Sequence, residues 1–268
     1  SLHDALPIWR ERGNGLSRGN RLAVVIPAFN EVKTIREIAE RALEQTDEVI
    51  IIDDASTDGT GDELRDLPLT VLRNEANRGK GASLWRGMET ARDRGASAIV
   101  TLDGDAQHRP EAIRDLVAAA KHRPDSIIIA ARLLNRDSAP RARLFANRFA
   151  DFWISWAAGR PIRDTQSGFR LYPASLLPRV ELPLGRGRGF VFESEVLIEA
   201  SRRGFPVYSI PTAMIHLADA RPSHFRPVVD IARIVRMVAW KLLVRGLDPV
   251  GLVRSLRQPE PVDVSPFR

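Results

Sequence analysis

An α/β architecture, a mostly parallel sheet flanked by helices, is predicted for this 268-residue chain by three observations. Short β-branched runs alternate with stretches of helical periodicity, the runs are apolar without interruption, and polar residues cluster directly after them. Alternation of this kind lays parallel strands in a sheet with helices on its faces, and unbroken apolar strands are those buried on both sides. The length suits one catalytic-sized domain with appendages. Hydrophobic residues at 44% and charged ones at 28% argue against disordered, collagen-like or multi-spanning chains. With no cysteine, thiolate metal sites, disulfide scaffolds and cysteine nucleophiles are excluded.

Residues 1–20 mix Gly, Arg and Asn without periodicity and are expected to be a flexible or non-native extension, too broken in their apolar residues for a signal peptide. The domain is expected over 21–226. Its strands are Leu22 to Ile26, Val49 to Ile52, Leu69 to Leu72, Ile99 to Leu102 and Ile127 to Ile129, and its helices include Thr34 to Leu43, Ala82 to Arg94 and Glu111 to Lys121. Pro27 cannot continue an internal ladder and closes the first strand; Asn30 is a good N-cap for the helix that follows. An amphipathic helix and tail are expected over 227–268. Asp230, Arg233, Arg236, Lys241 and Arg245 share one broad face there, and Val229, Ile231, Ile234, Val235, Val238, Trp240, Leu242 and Leu243 lie mostly on the rest, a pattern that suits a membrane surface. Phe149, Phe152, Trp153 and Trp156 form a second stripe at helical spacing, for which core packing is the commoner fate.

Where the polar residues fall predicts the site. Directly after four strands come Asn30 and Glu31, Asp53 and Asp54, Asp103 and Asp105, and Arg132. In an open parallel sheet these strand ends lie on one edge, and ligands bind in the crevice outside it. Asp103 and Asp105, at i and i+2 on extended backbone, point to one side. Hard oxygens at that spacing suit Mg2+ or Mn2+, with Gln107 as a third donor. Asn77-Arg-Gly-Lys-Gly-Ala-Ser83 lacks the phosphate-loop spacing, and no G-x-G-x-x-G follows a strand, so a P-loop or dinucleotide enzyme is disfavoured.

The series VIPAFNE, IIDDASTDGT, NRGKGAS, LDGDAQHRPE and DTQSGFRLYP, in that order, resembles family 2 glycosyltransferases of the GT-A fold, and among them the polyprenyl-phosphate, dolichyl-phosphate mannose synthase-like sugar transferases. The resemblance runs from about Arg21 to Pro227. It implies a nucleotide-sugar donor, a GDP- or UDP-hexose, held by Pro27, Phe29, Glu31, Asp53, Asp54 and Lys80. It also implies a metal at Asp103, Asp105 and Gln107 that bridges the donor diphosphate. Two departures stand out: Ala130-Ala131-Arg132 replaces the usual Gly-Ser-Arg, and the Q-x-x-R-W element of processive synthases is absent, which disfavours polymerisation.

Transfer from a nucleoside diphosphate requires charge stabilisation on the leaving phosphate, which a divalent ion and fixed cations such as Arg170 supply. A lipid monophosphate acceptor is already anionic near neutral pH, so arginines, here Arg132 and Arg143, would mark its site. A sugar hydroxyl would instead need a base, for which Glu193 and Asp164 are the candidates. Charge is uneven, with 16 basic and 21 acidic side chains before residue 121 against 24 and 13 from there on, which points to an anionic partner for the later half. The expectation is therefore an inverting, metal-dependent enzyme, peripheral on the cytoplasmic face of a membrane, with no nucleic-acid partner. The rivals are transfer to a glycan or lipid hydroxyl, and a non-catalytic module binding anionic lipid or nucleic acid.

Overall fold

The computed structural model describes residues 21–134, 141–185, 189–213 and 227–257, with backbone alone described for 141–143, 189–190, 227–228 and 230. Five strands appear where the sequence predicts them: β1 (Leu22–Ala28), β2 (Glu48–Asp53), β3 (Thr70–Arg73), β4 (Ala98–Thr101) and β5 (Ile127–Arg132). Between them run α1 (Ile35–Leu43), α2 (Lys80–Asp93) and α3 (Ile113–His122). Two further strands, β6 (Arg170–Pro173) and β7 (Val207–Thr212), were not expected, and α4 (Arg141–Ala158), α5 (Gly189–Arg202), α6 (Pro227–Val244) and α7 (Pro249–Ser255) complete the described strands and α-helices.

The strands form one seven-stranded sheet in the order β3-β2-β1-β4-β6-β5-β7. All neighbours are parallel except β6, which runs against both β4 and β5. Alternate residues feed two cores. Val25, Ile52, Ile99 and Ile129 meet α2, α4, α5 and α6 on one face, while Val24, Ile51, Val100 and Ile128 meet α1 and α3 on the other. On α1 this places Ile35, Ile38, Ala39 and Ala42 inward, the 3.6-residue stripe of an amphipathic helix. Against the sheet α2 sits so close that a Cβ on Gly87 would lie 2.4 Å from Val25 Cγ1.

Two local expectations are corrected. Asn30 does not cap α1, which starts after Thr34; its side chain instead accepts from the Thr57 backbone N–H at 2.8 Å. The cationic face of α6 is not turned outward as a whole. Lys241 lies 3.0 Å from Glu195 and 2.5 Å from Glu199 on α5, and Arg245 also reaches Glu199. Ile234, Met237, Val238 and Leu242 are buried, whereas Ile231, Val235, Trp240, Leu243 and Val244 are exposed. The aromatic stripe on α4 grades from exposed Phe149 to Trp156, whose indole N–H donates to the Leu247 carbonyl at 2.8 Å and ties α4 to the α6–α7 turn. Among the described residues, no helix is long and apolar enough to cross a membrane.

Candidate active site

Every parallel strand delivers its following loop to the same edge of the sheet, and side chains sew these loops together. Ser56 Oγ and Thr60 Oγ1 accept from the backbone N–H groups of Asn30 and Glu31 at 2.9 and 2.8 Å, joining the β2 loop to the β1 loop. Thr34 Oγ1 donates to the Gly104 carbonyl at 2.6 Å, joining β1 to β4. A Cβ built on Gly104 would lie 3.4 Å from the Pro27 carbonyl and 3.6 Å from Glu31 Cγ, so these parts of the expected donor set are neighbours of the acidic loop. Asn30, Ala55, Ala106 and Asp164, one in each of four edge loops, hold φ between 50° and 64°. Ala55 and Ala106 each store about 1–2 kcal/mol of backbone strain at this rim, whereas Asn and Asp tolerate the left-handed region better.

Within the edge the expected donor residues divide. Pro27, Phe29 and Glu31 are half-buried at the rim. Asp53 and Asp54 are buried and spent on the protein itself. Asp53 accepts from the Ser56 N–H and from Arg73. Asp54 accepts from Asn74 and from the backbone N–H groups of Arg78 and Gly79, which pins the turn that starts α2. Asp54 thereby helps to place Lys80, the first residue of that helix.

Lys80 Nζ lies 2.7 Å from Asp103 Oδ1 and 2.7 Å from Glu193 Oε1, bridging the end of β4 to α5. Burial pulls its pKa down, but the two carboxylates raise it further, and the ammonium stays charged. Burial pushes Asp103 up, and Lys80 more than offsets this, so its carboxyl titrates below the usual range. Asp105 behaves oppositely, raised by burial and by the charge of Asp103. The room for this cluster comes from Gly168, where a Cβ would lie 2.8 Å from both Asp103 Oδ2 and Glu193 Oε1.

Across the edge, Arg132 donates from its backbone N–H, Nε and Nη2 to Asp164 at 2.7, 2.9 and 2.5 Å. Asp151 on α4 holds the Asp164–Thr165 turn through both backbone N–H groups. Asp164 is pushed up by burial, but the Arg132 fork outweighs that and keeps it low. Arg170, expected beside a diphosphate, is fully buried. Its guanidinium donates to the carbonyls of Thr165, Ser167 and Glu193 and to the Tyr172 hydroxyl, so it latches the loop before β6 to the start of α5. The side chain of Arg143 lies outside the described residues.

Sequence reasoning missed His108 and Gly168. His108 is buried 5.2 Å from the Phe169 ring with Nδ1 unpartnered, and burial pulls its pKa down to about 4 despite Asp103. Its place beside the D-x-D run was the available signal. The donor set fits a divalent ion. Asp103, Asp105 and Gln107 offer hard oxygens, and two neighbouring carboxylates suit a dication. Among the described residues no group of three or more His, Cys, Asp or Glu is arranged to hold a metal; two carboxylates with remaining donors from substrate phosphates is the usual Mg2+ arrangement.

A family model described as glycosyl transferase family 2 matches residues 23–177. The chain belongs to that family. As a family 2 glycosyltransferase it is an enzyme, which sets aside the non-catalytic module. It is 27% identical over 223 residues to the polyprenol monophosphomannose synthase of Mycolicibacterium smegmatis, covering 77% of this chain and 84% of that one. It is 25% identical over 240 residues to the undecaprenyl-phosphate mannosyltransferase of Micrococcus luteus, covering 84% and 96%. Among solved structures, the mannosyl-3-phosphoglycerate synthase of Rubrobacter xylanophilus matches with a TM-score of 0.64 at 18% identity, over 93% of this chain and 80% of that one. The glucosyl-3-phosphoglycerate synthase of Mycobacterium tuberculosis, solved with Mn2+, UDP-glucose and phosphoglyceric acid, matches with a TM-score of 0.61 at 21% identity over 94% of each chain. The GT-A fold expected for this glycosyltransferase is the one it has.

Proposed function

We propose that this glycosyltransferase moves a hexose from a GDP- or UDP-sugar to a polyprenyl phosphate or similar lipid-linked acceptor, with inversion. The observation that carries this is the gathering of Asp103, Asp105, Lys80 and Glu193 at the sheet edge, with the Arg132–Asp164 pair in the same rim. Asp103, Asp105 and Gln107 would hold Mg2+ or Mn2+, which as a Lewis acid takes up charge on a leaving diphosphate. Pro27, Phe29 and Glu31 would line the nucleoside end, and Arg132 with Arg143 would meet the acceptor phosphate.

The state of Asp164 favours an acceptor that needs no base. It has both oxygens on Arg132 and a lowered pKa. A carboxylate so held is a poor proton acceptor, whereas a phosphate monoester titrates near pH 6 and arrives anionic. Inversion follows if the acceptor oxygen displaces the nucleotide in one direct step. The names of the mycobacterial and micrococcal relatives agree with a polyprenyl-phosphate acceptor. Exposed Trp240, Leu243, Val244, Val250, Val253 and Leu256 support a peripheral seat on a membrane surface, on the cytoplasmic face if the donor is a cytosolic nucleotide sugar.

A panel of GDP- and UDP-hexoses, incubated with undecaprenyl phosphate with and without EDTA, tests the proposal. Formation of a glycolipid that EDTA abolishes and Mn2+ restores is expected. Turnover that survives both EDTA and the double change Asp103→Asn with Asp105→Asn would refute the metal role, and transfer only to free hydroxyls, lost in Glu193→Gln, would replace the acceptor.

A further inference from the structure

Asp103 has two cations to serve. It is the acid to which a divalent ion is assigned above, and it already lies 2.7 Å from the Lys80 ammonium. The other salt bridge of the rim is built differently. Arg132 grips Asp164 with a planar fork and a backbone N–H, and Asp164 is only 5% exposed. Lys80 is exposed to the same degree as Arg132, 25% against 24%, but its partner Asp103 is more open than Asp164, 22% against 5%. A lysine is a compact point charge on a flexible four-carbon stem, so it exchanges partners at low geometric cost, whereas a bidentate arginine does not.

Charge balance points the same way. Asp103, Asp105 and Glu193 outnumber Lys80, so these four groups carry an excess of negative charge that one divalent ion would cancel. We propose that Lys80 is an exchangeable counter-ion, neutralising Asp103 and Glu193 while the site is empty, then yielding Asp103 to the entering metal and turning to the donor diphosphate. No bond is made or broken in this exchange. It rests on the metal assignment made above and goes beyond it in one respect: metal and nucleotide binding become cooperative. The diphosphate gives the displaced ammonium new oxygens to meet, so an ion arriving alone must compete with Lys80 and an ion arriving with a nucleotide need not.

Direct Mn2+ binding, read from the electron paramagnetic resonance of free Mn2+ with the full chain, tests this without any turnover. Lys80→Met is expected to bind Mn2+ alone about tenfold tighter or more than the parent, because a unit positive charge beside the ligand is gone. GDP or UDP is expected to tighten Mn2+ binding in both proteins, because diphosphate oxygens complete the metal's ligands, but by a clearly larger factor in the parent, where the nucleotide also gives the displaced Lys80 ammonium a new partner, than in Lys80→Met. Lys80→Arg keeps the charge and is expected to bind Mn2+ alone as weakly as the parent. A thermal melt of each variant establishes folding, and Lys80→Gln replaces Lys80→Met if the latter does not fold. Unchanged or weaker Mn2+ binding in the neutral variant, with the parent binding normally, overturns the exchange and leaves the metal assignment standing. A parent that takes up no Mn2+, with or without nucleotide, overturns both.

Discussion

Gly168→Ala adds one methyl group at the point where two acidic side chains meet. The new carbon would stand 2.8 Å from Asp103 Oδ2, 2.8 Å from Glu193 Oε1 and 3.1 Å from Asp103 Oδ1, inside the ~3.5 Å at which nonbonded heavy atoms pack best. The backbone cannot retreat freely, because the Gly168 carbonyl accepts from Thr101 Oγ1 at 2.8 Å and Ser167 Oγ donates to the Ala130 carbonyl at 2.8 Å. The carboxylates must therefore give way, by roughly half an ångström each. Since they are side-chain ends, the stability cost is about 1 kcal/mol, the low end for overpacking, or a fall in Tm of about 2–4 °C. Misplacement of reacting groups by about 1 Å costs on the order of a hundredfold, so kcat is expected to fall between tenfold and a hundredfold. Melting by fluorimetry and nucleotide release from the donor measure the two effects separately. A variant that melts with the parent and retains its kcat would show that Asp103 and Glu193 do not work at the place the geometry assigns them.

Gly87→Ala is the contrasting case: its Cβ would lie 2.4 Å from Val25 Cγ1 and 3.1 Å from Ile52 Cγ1 in the core. It should cost about 1–3 kcal/mol in urea unfolding while activity per folded molecule holds. Arg170→Met strands the buried carbonyls of Thr165, Ser167 and Glu193. At about 1–3 kcal/mol per unsatisfied group, Tm should drop on the order of 10 °C, with Arg170→Lys intermediate; a melt equal to the parent's would remove the latch. Burial pushes the Glu199 carboxyl up, but hydrogen bonds from Lys241 and Arg203 prevail and hold it below the usual glutamate value of 4.5. A depressed folded pKa stabilises fully above the unfolded value and is lost as pH falls through the folded one. Melting temperature below pH 4.5 should thus decline less in Glu199→Gln than in the parent.

Five strands and three helices were legible because long apolar runs and helical periodicity survive in one dimension. β6 was not, since Arg170-Leu-Tyr-Pro173 is four residues long and opens on an arginine, and β7 carries Tyr208, Ser209 and Pro211 within it. Asp103, Asp105 and Glu193 could be picked out by residue type and neighbours. Which acids face the cleft could not: Asp53 and Asp54 read like binding groups, and only their partners Arg73, Asn74 and the turn before α2 mark them as internal struts. Arg170 read as a phosphate contact for the same reason, because a charge in a motif does not disclose its depth. In α6, polarity alone placed Lys241 and Arg245 toward a surface, whereas Glu195 and Glu199, some forty residues earlier, draw them inward.

The single reversed strand has a bearing on how the protein comes to be made. β6 separates β4 from β5, and β5 has sheet partners only in β6 and β7 among the described residues. A chain emerging from the ribosome can therefore pair β3-β2-β1-β4 before residues 170–173 are made, whereas β5 gains a described sheet partner only with β6. Until then the outer edge of β4 stands open, and the Arg132–Asp164 and Lys80–Glu193 ties have no frame to form on. Pulse-labelled hydrogen exchange during refolding should protect β1 and β2 ahead of β5, so that catalytic competence is the last property the growing molecule acquires.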